Sequence, residues 1–109
     1  MSLLAARRRL KSLKTLPDKR DFAKTRAYSK DVRKLPQNVV EAGWKFLQVL
    51  QDDIVAPQLN IRKLEGFENI WRVVVKKNYR LVYSFDETKI YLLRFAHRKD
   101  IYRLNIDWN

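Results

Sequence analysis

At 109 residues the chain has room for one domain with a single core, and a hydrophobic fraction of 46% excludes wholesale disorder. The absence of cysteine excludes a disulfide scaffold and a thiolate metal site, and no apolar run reaches the ~18 residues of a membrane span. The net charge of +12 is uneven: residues 1–36 carry twelve Lys/Arg against three Asp, a net of +9, and residues 37–109 carry twelve against nine, a net of +3. Such a field draws phosphate polyanions and acidic proteins without selecting a sequence, and it exceeds what solubility requires. A short apolar start precedes Arg7-Arg8-Arg9, the reverse of the order in a secretory signal, so the expectation is a soluble, cytoplasmic protein.

In chain order, residues 1–20 form a basic segment in which Leu3, Ala6, Leu10, Leu13 and Leu16 recur at helical spacing. Arg7, Arg8, Lys11 and Lys14 occupy another arc, and Pro17 stops the helix. The leucines are expected to dock on the domain, leaving Arg7, Arg8 and Lys11 outward for RNA phosphate. Residues 17–36 are polar; Arg20 to Tyr28 could form an edge strand, and Ser29 could cap a short helix through Lys34. Asn38 with Glu41 makes an N-cap pair for a helix ending near Asp53. Its Val39, Val40, Trp44, Phe46, Leu47 and Leu50 fall within one broad arc, which assigns Trp44 to the core rather than to base stacking.

Ile61 to Gly66 reads as a turn in which Gly66 takes a positive φ. Three strands follow, Asn69 to Lys76, Tyr79 to Asp86 and Lys89 to Ala96, closed by the cluster His97 to Arg103. A three-residue loop at Lys76-Lys77-Asn78 pairs Val75 with Tyr79 and puts Arg80 on Arg72's face; a two-residue loop would bury Arg80 beside Trp71 and Val73. Asn78, tolerant of the left-handed conformation, suits the end of the longer loop. Pairing Phe85 with Ile90 then sets Leu93, Phe95 and His97 on the face of Arg72 and Arg80. Trp71, Val73, Val75, Tyr79, Leu81, Tyr83, Phe85, Ile90 and Leu92 collect on the other, where Arg94 falls awkwardly. The expected fold is α+β: a small antiparallel twisted sheet of three to four strands, two or three N-terminal helices packed on one face, and an open cationic face opposite.

Arg62-Lys63-Leu64-Glu65-Gly66, Trp71-Arg72-Val73-Val74-Val75, Tyr79-Arg80-Leu81-Val82-Tyr83 and His97-Arg98-Lys99-Asp100-Ile101-Tyr102 resemble, in order and spacing, the RelE/ParE superfamily of type II toxins. The likeness is best over residues 38–104, within one domain spanning 1–109. What it implies is a ribosome-dependent mRNA endonuclease of the RelE branch, without metal or other cofactor, held inactive by an acidic antitoxin. In that chemistry a 2′-hydroxyl attacks the adjacent phosphate, which requires a base, positive charge on the phosphorane and an acid for the leaving oxygen. By resemblance Arg72 and Arg80 bind and polarise the phosphate, Arg98 stabilises the transition state, Tyr102 stacks on a base or transfers a proton, and His97 acts as base or acid. Lys76, Lys77, Lys99 and Arg103 are expected to add RNA contacts. Val74 stands where the best-known RelE enzymes carry a second lysine, a role that Lys76 or Lys77 would take from the turn.

Each residue also has a structural reading. Arg72 and Arg80 could be strand charges paired with Glu65 and Glu68, His97 a strand-end cap, and Tyr102 core with Ile101 and Leu104. The alternatives in function are a ParE-like, non-nuclease gyrase inhibitor and a basic RNA-binding domain without catalysis.

Overall fold

A computed structural model of the chain describes residues 19–104 and 106. The basic segment of Leu3 to Leu16, with Arg7, Arg8 and Lys11, lies outside them. The order of elements is β1 (Asp21–Lys24), α1 (Arg26–Lys34), α2 (Gln37–Asp52), β2 (Ile61–Lys63), β3 (Trp71–Val75), β4 (Tyr79–Phe85), β5 (Lys89–His97) and a 3-10 turn, Ile101–Arg103. The class is α+β as expected, but the sheet is larger: five strands in the order β1-β5-β4-β3-β2, mixed because β1 runs parallel to β5. Among the described residues no helix is long and apolar enough to cross a membrane.

Thr25 organises the N-terminal edge. Its backbone N–H donates to the Leu92 carbonyl and its hydroxyl donates to the same oxygen (2.8 Å), ending β1 against β5. The hydroxyl oxygen also accepts the Tyr28 N–H (3.1 Å), so Thr25 rather than Ser29 caps α1. Pro36 then blocks continuation of α1 and occupies the N-cap position of α2. This displaces Asn38 into the first turn, and Gln37 rather than Asn38 bonds Glu41. Ile61 to Lys63, read as part of a turn, is instead a strand antiparallel to β3.

The hydrophobic residues of α1 and α2 close over one face of the sheet. Val39, Leu47 and Leu50 pack with Trp71, Val73, Val75, Leu81, Tyr83, Phe85, Ile90, Leu92 and Phe95. Gly43 permits the close approach: a Cβ there would meet the Phe95 ring at 2.6 Å. Trp44 is a correction, since it turns outward, 41% exposed, against the Phe22 ring and beneath the Lys24 ammonium. Gly66 has the expected positive φ, +85°.

The β3–β4 hairpin has the expected register, Val75 opposite Tyr79 and Val74 opposite Arg80. The left-handed residues in its loop are Lys76 (φ 48°) and Lys77 (φ 67°), not Asn78. In the β4–β5 pair Phe85 meets Ile90 as expected, but Tyr83 pairs with Leu92 while Val82 pairs with Arg94, so Leu93 is an extra residue in a β-bulge. The bulge reverses the face of everything after it. Phe95 and His97 join the helix-covered face with Leu81 and Tyr79, contrary to the expected grouping with Arg72 and Arg80. Arg94, awkward under an uninterrupted register, leaves the apolar side.

The far face is not open either. Ile101 folds back and, with Ile70, Val82 and Leu93, forms a second small core, fringed by Leu64, Tyr91, Ala96, Leu104 and Ile106. The 3-10 turn is thus tied to the sheet, and the residue after Ile101 is carried over its surface.

Candidate nucleic-acid interface

Where β2 meets β3, Arg62 stands directly opposite Arg72. Opposed residues of an antiparallel pair project on the same side of the sheet, and like charges there are destabilising unless an anion lies between them. Arg72 Nη1 donates to the Asn60 carbonyl oxygen (3.1 Å) and to its side-chain oxygen (3.2 Å), two neutral acceptors that orient the guanidinium without cancelling its charge. Neither Glu65 nor Glu68 forms an ion pair with Arg72 or Arg80.

This pair lies in a cleft of about 850 Å3 on the far face. Its walls include Lys63, Leu64 and Glu65 from the start of the loop, Phe67, and Tyr102, with Ile101 and Leu104 from the C-terminal turn. Tyr102 is 61% exposed while its neighbour Ile101 is buried, so the 3-10 turn anchors on one residue and presents the next. Tyr102 is therefore surface, not core. The cleft brings Arg72 and Tyr102 together as the sequence suggested, and adds Arg62, Lys63 and Phe67, which sequence reasoning missed. The missed signal was Arg62, which is set against Arg72 only once that stretch is a strand beside β3.

A second cationic group sits at the hairpin end. Arg80 lies on the far face opposite Val74 and Ala96, at a position diagonal to Arg72. Its Nη1 donates to the carbonyls of Lys77 (2.9 Å) and Tyr79 (3.0 Å), while its Nε is buried with no partner among the described residues. The Arg98 N–H donates to the Asn78 carbonyl (2.7 Å), which holds exposed Arg98 beside the Lys76-Lys77 tip. None of these four cations lines the cleft.

His97 is elsewhere. It lies edge-on to the Tyr79 ring, 5.3 Å between centroids, and its Nδ1 accepts the Lys99 N–H (3.1 Å), so in the neutral ring the proton resides on Nε2. It borders a smaller cleft of about 490 Å3 at the outer edge of β5, with Lys34, Arg94, Asp31, Asp100 and Arg103. There Asp31 receives Arg94 through both carboxylate oxygens (2.8 Å each) and the Phe95 N–H (2.9 Å), satisfying the edge of β5 beyond the reach of β1. The hydrogen bond to Asp31 holds the Arg94 guanidinium above its ordinary pKa. Arg103 is turned to the Lys99 carbonyl and toward Asp100, and Lys99 is exposed beside them.

The family model of the ParE toxin of type II toxin-antitoxin systems, parDE, matches residues 23–102. No curated protein sequence matches the chain. Among solved structures, the RelB-RelE antitoxin-toxin complex of Methanococcus jannaschii is similar at 26% identity and TM-score 0.62, covering 76% of this chain and 95% of that one. The archaeal RelE-RelB complex of Pyrococcus horikoshii is similar at 21% identity, TM-score 0.62, 73% and 96% coverage. The DinJ-YafQ toxin-antitoxin complex of Escherichia coli gives 20% identity, TM-score 0.59, 77% and 98% coverage. With a family model spanning most of its length and the fold of RelE toxins in its five strands and two helices, the chain belongs to the ParE toxin family of type II toxin-antitoxin systems, within the RelE/ParE superfamily.

Proposed function

We propose that this toxin is an endoribonuclease that cleaves mRNA on the ribosome and is restrained by an acidic antitoxin. The observation that carries this reading is the far-face cleft, in which the opposed Arg62 and Arg72 and the exposed Tyr102 share one wall system. Two guanidiniums held side by side suit the non-bridging oxygens of a phosphodiester, because each fork donates two parallel hydrogen bonds to an oxyanion. As the 2′-oxygen bonds to phosphorus, the 5′-oxygen departs, leaving a cyclic phosphate and a 5′-hydroxyl. Arg62 and Arg72 stabilise the charge that accumulates on the phosphorane in between.

The 2′-hydroxyl proton needs an acceptor in the same cleft. Glu65 is the one carboxylate among the described residues that line it and takes that role here, in place of His97. The phenol of Tyr102 stacks on a base or protonates the leaving oxygen. Arg80, Arg98, Lys76 and Lys77 extend the cationic surface along the RNA backbone, with Lys99, Arg103 and the basic residues Arg7, Arg8 and Lys11 as further phosphate contacts. The antitoxin reading is supported by the neighbouring RelE and YafQ structures, which are complexes of toxin with antitoxin, and by this chain's net charge of +12.

The test is induction in a bacterium followed by mapping of transcript ends. Translation-dependent ends carrying a 5′-hydroxyl, lost in Arg72→Ala and Tyr102→Ala, are expected. A second reading, a non-nuclease toxin that poisons a protein such as gyrase, is favoured by the ParE family model and by the separation of His97 from Arg72. Intact transcripts with a DNA-damage response would select it and overturn the nuclease.

A further inference from the structure

Three large hydrophobic side chains are exposed among the described residues, Trp44, Phe67 and Tyr102, and two of them line the same basic cleft. Phe67 is 43% exposed and stands in the loop between β2 and β3. That loop is closed by the Leu64 N–H donating to the Ile70 carbonyl (2.8 Å), and its Gly66, at φ +85°, has no atom within 4 Å of where a Cβ would stand. The loop base is therefore tied down while its tip stands clear of the fold, and Phe67 belongs to neither hydrophobic core.

An exposed phenylalanine on its own is ordinary. Here it shares a cleft with a second exposed ring and with Arg62, Lys63 and Arg72, against one carboxylate among the described lining residues, that of Glu65. Arginine and aromatic side chains are enriched at protein interfaces too, so what points this cleft to nucleic acid is the nuclease reading of its paired arginines together with the two rings. Single-stranded nucleic acid has the matching chemistry, because unpaired bases offer π-faces to aromatic rings while their phosphates meet the cations between. A duplex does not, since its bases are already stacked on each other.

We propose that Phe67 is a second base-stacking plate, so that the cleft holds two separate bases of a single RNA strand, one on Tyr102 and one on Phe67, with phosphate on Arg62 and Arg72. This deepens the nuclease reading of the same cleft, but it concerns binding and not cleavage. The plate at Phe67 sets how tightly a base beside the scissile phosphate is held, and it accepts any base because every base has a π-face.

The test uses a short single-stranded RNA that is 2′-O-methylated throughout, which removes the attacking hydroxyl and isolates binding, with the fluorescent base 2-aminopurine placed at each position in turn. On the full-length protein, two positions of the oligonucleotide are expected to show quenched fluorescence. Phe67→Ala should abolish quenching at one of them and weaken binding roughly 5- to 150-fold, the range for one stacked base. Phe67→Trp should restore both, which a folding defect would not allow, and Tyr102→Ala should abolish quenching at the other position. Unchanged affinity and quenching in Phe67→Ala overturns the inference while leaving the nuclease untouched. Failure of the wild-type protein to bind the oligonucleotide overturns it as well. Normal binding and quenching without any cleavage of unmodified transcripts would instead retire the nuclease and keep the plate.

Discussion

The far-face cleft and the smaller cleft at the edge of β5 are both lined by arginine and lysine, yet among the described residues the ion pairs lie at the edge and not in the far-face cleft. Arg94 is held by Asp31 with both side chains mostly buried, 16% and 9% exposed, and Arg103 lies near Asp100. On the far face Arg62 is set against Arg72, and the nearest acceptors to Arg72 are neutral oxygens of Asn60. Positive charge alone does not mark a site; what distinguishes the two clefts is whether the fold supplies the counter-charge. Where it does, the cation is a fastener; the far-face arginines are the ones proposed above to meet phosphate.

The strongest way to break this contrast is to remove the fastener. Asp31→Ala removes the bidentate bond to Arg94 and leaves the Phe95 N–H without its acceptor, and should lower stability by about 1–3 kcal/mol in urea unfolding. A loss below about 0.5 kcal/mol would mean that the edge cleft is held by something else. The complementary experiment is on the far face. Arg72→Ala should reduce RNA cleavage roughly 100-fold or more, while the unfolding midpoint stays level or rises as the like-charge pair is relieved. His97→Gln, across the sheet, should change cleavage only a few-fold; equal losses in both variants would merge the two clefts into one functional unit.

A pH experiment probes the core beneath Phe95, which lines the edge cleft. Tyr28 stacks on Phe95, and burial pushes its phenol up to about 12. Because the folded value lies above the unfolded one near 10, the unfolded chain loses its proton first as pH rises. The stability that Tyr28 contributes is complete below pH 10 and drains away toward pH 12, which alkaline unfolding followed by tyrosinate absorbance would record. Tyr28→Phe should reduce that decline and leave the part set by Tyr83, whose phenol burial also raises. The smallest effect is expected at the hairpin tip, where Lys76→Asn with Lys77→Gly relieves two left-handed backbone positions and should raise stability by a few tenths to about 1 kcal/mol.

Much of this molecule was legible in its residues. The alternation of Trp71, Val73 and Val75, the loop length before Tyr79 and the positive φ at Gly66 follow from local chemistry, and all three are found in the structure. The Arg72 and Tyr102 pairing was legible through family resemblance. Three things were not. Strand periodicity carries no mark of an inserted residue, so the bulge at Leu93 displaced Phe95 and His97 from their expected face. Ile61 to Lys63 is too short for its own pattern to announce a strand, and only pairing with β3 makes it one. Trp44 sits within an apolar arc, but a helix lying over a sheet buries only the middle of such an arc, and Gly43 draws that middle onto Phe95 while Trp44 is rotated to the margin.

The extra residue at Leu93 also governs how pieces of this protein can be exchanged. Upstream of it β5 is in phase with β4 as an ordinary hairpin partner; downstream it runs one step out, and the turn bearing Ile101 and Tyr102 inherits that offset. A chimera that takes its C-terminal segment from a strand without the insertion would deliver the tail half a repeat early, rotating Arg98 and Tyr102 away from their present positions while every residue name still matched. Grafts should therefore carry Leu93 with the tail or join beyond His97, and a single-residue deletion at Leu93 would act on this strand as a frameshift acts on a message.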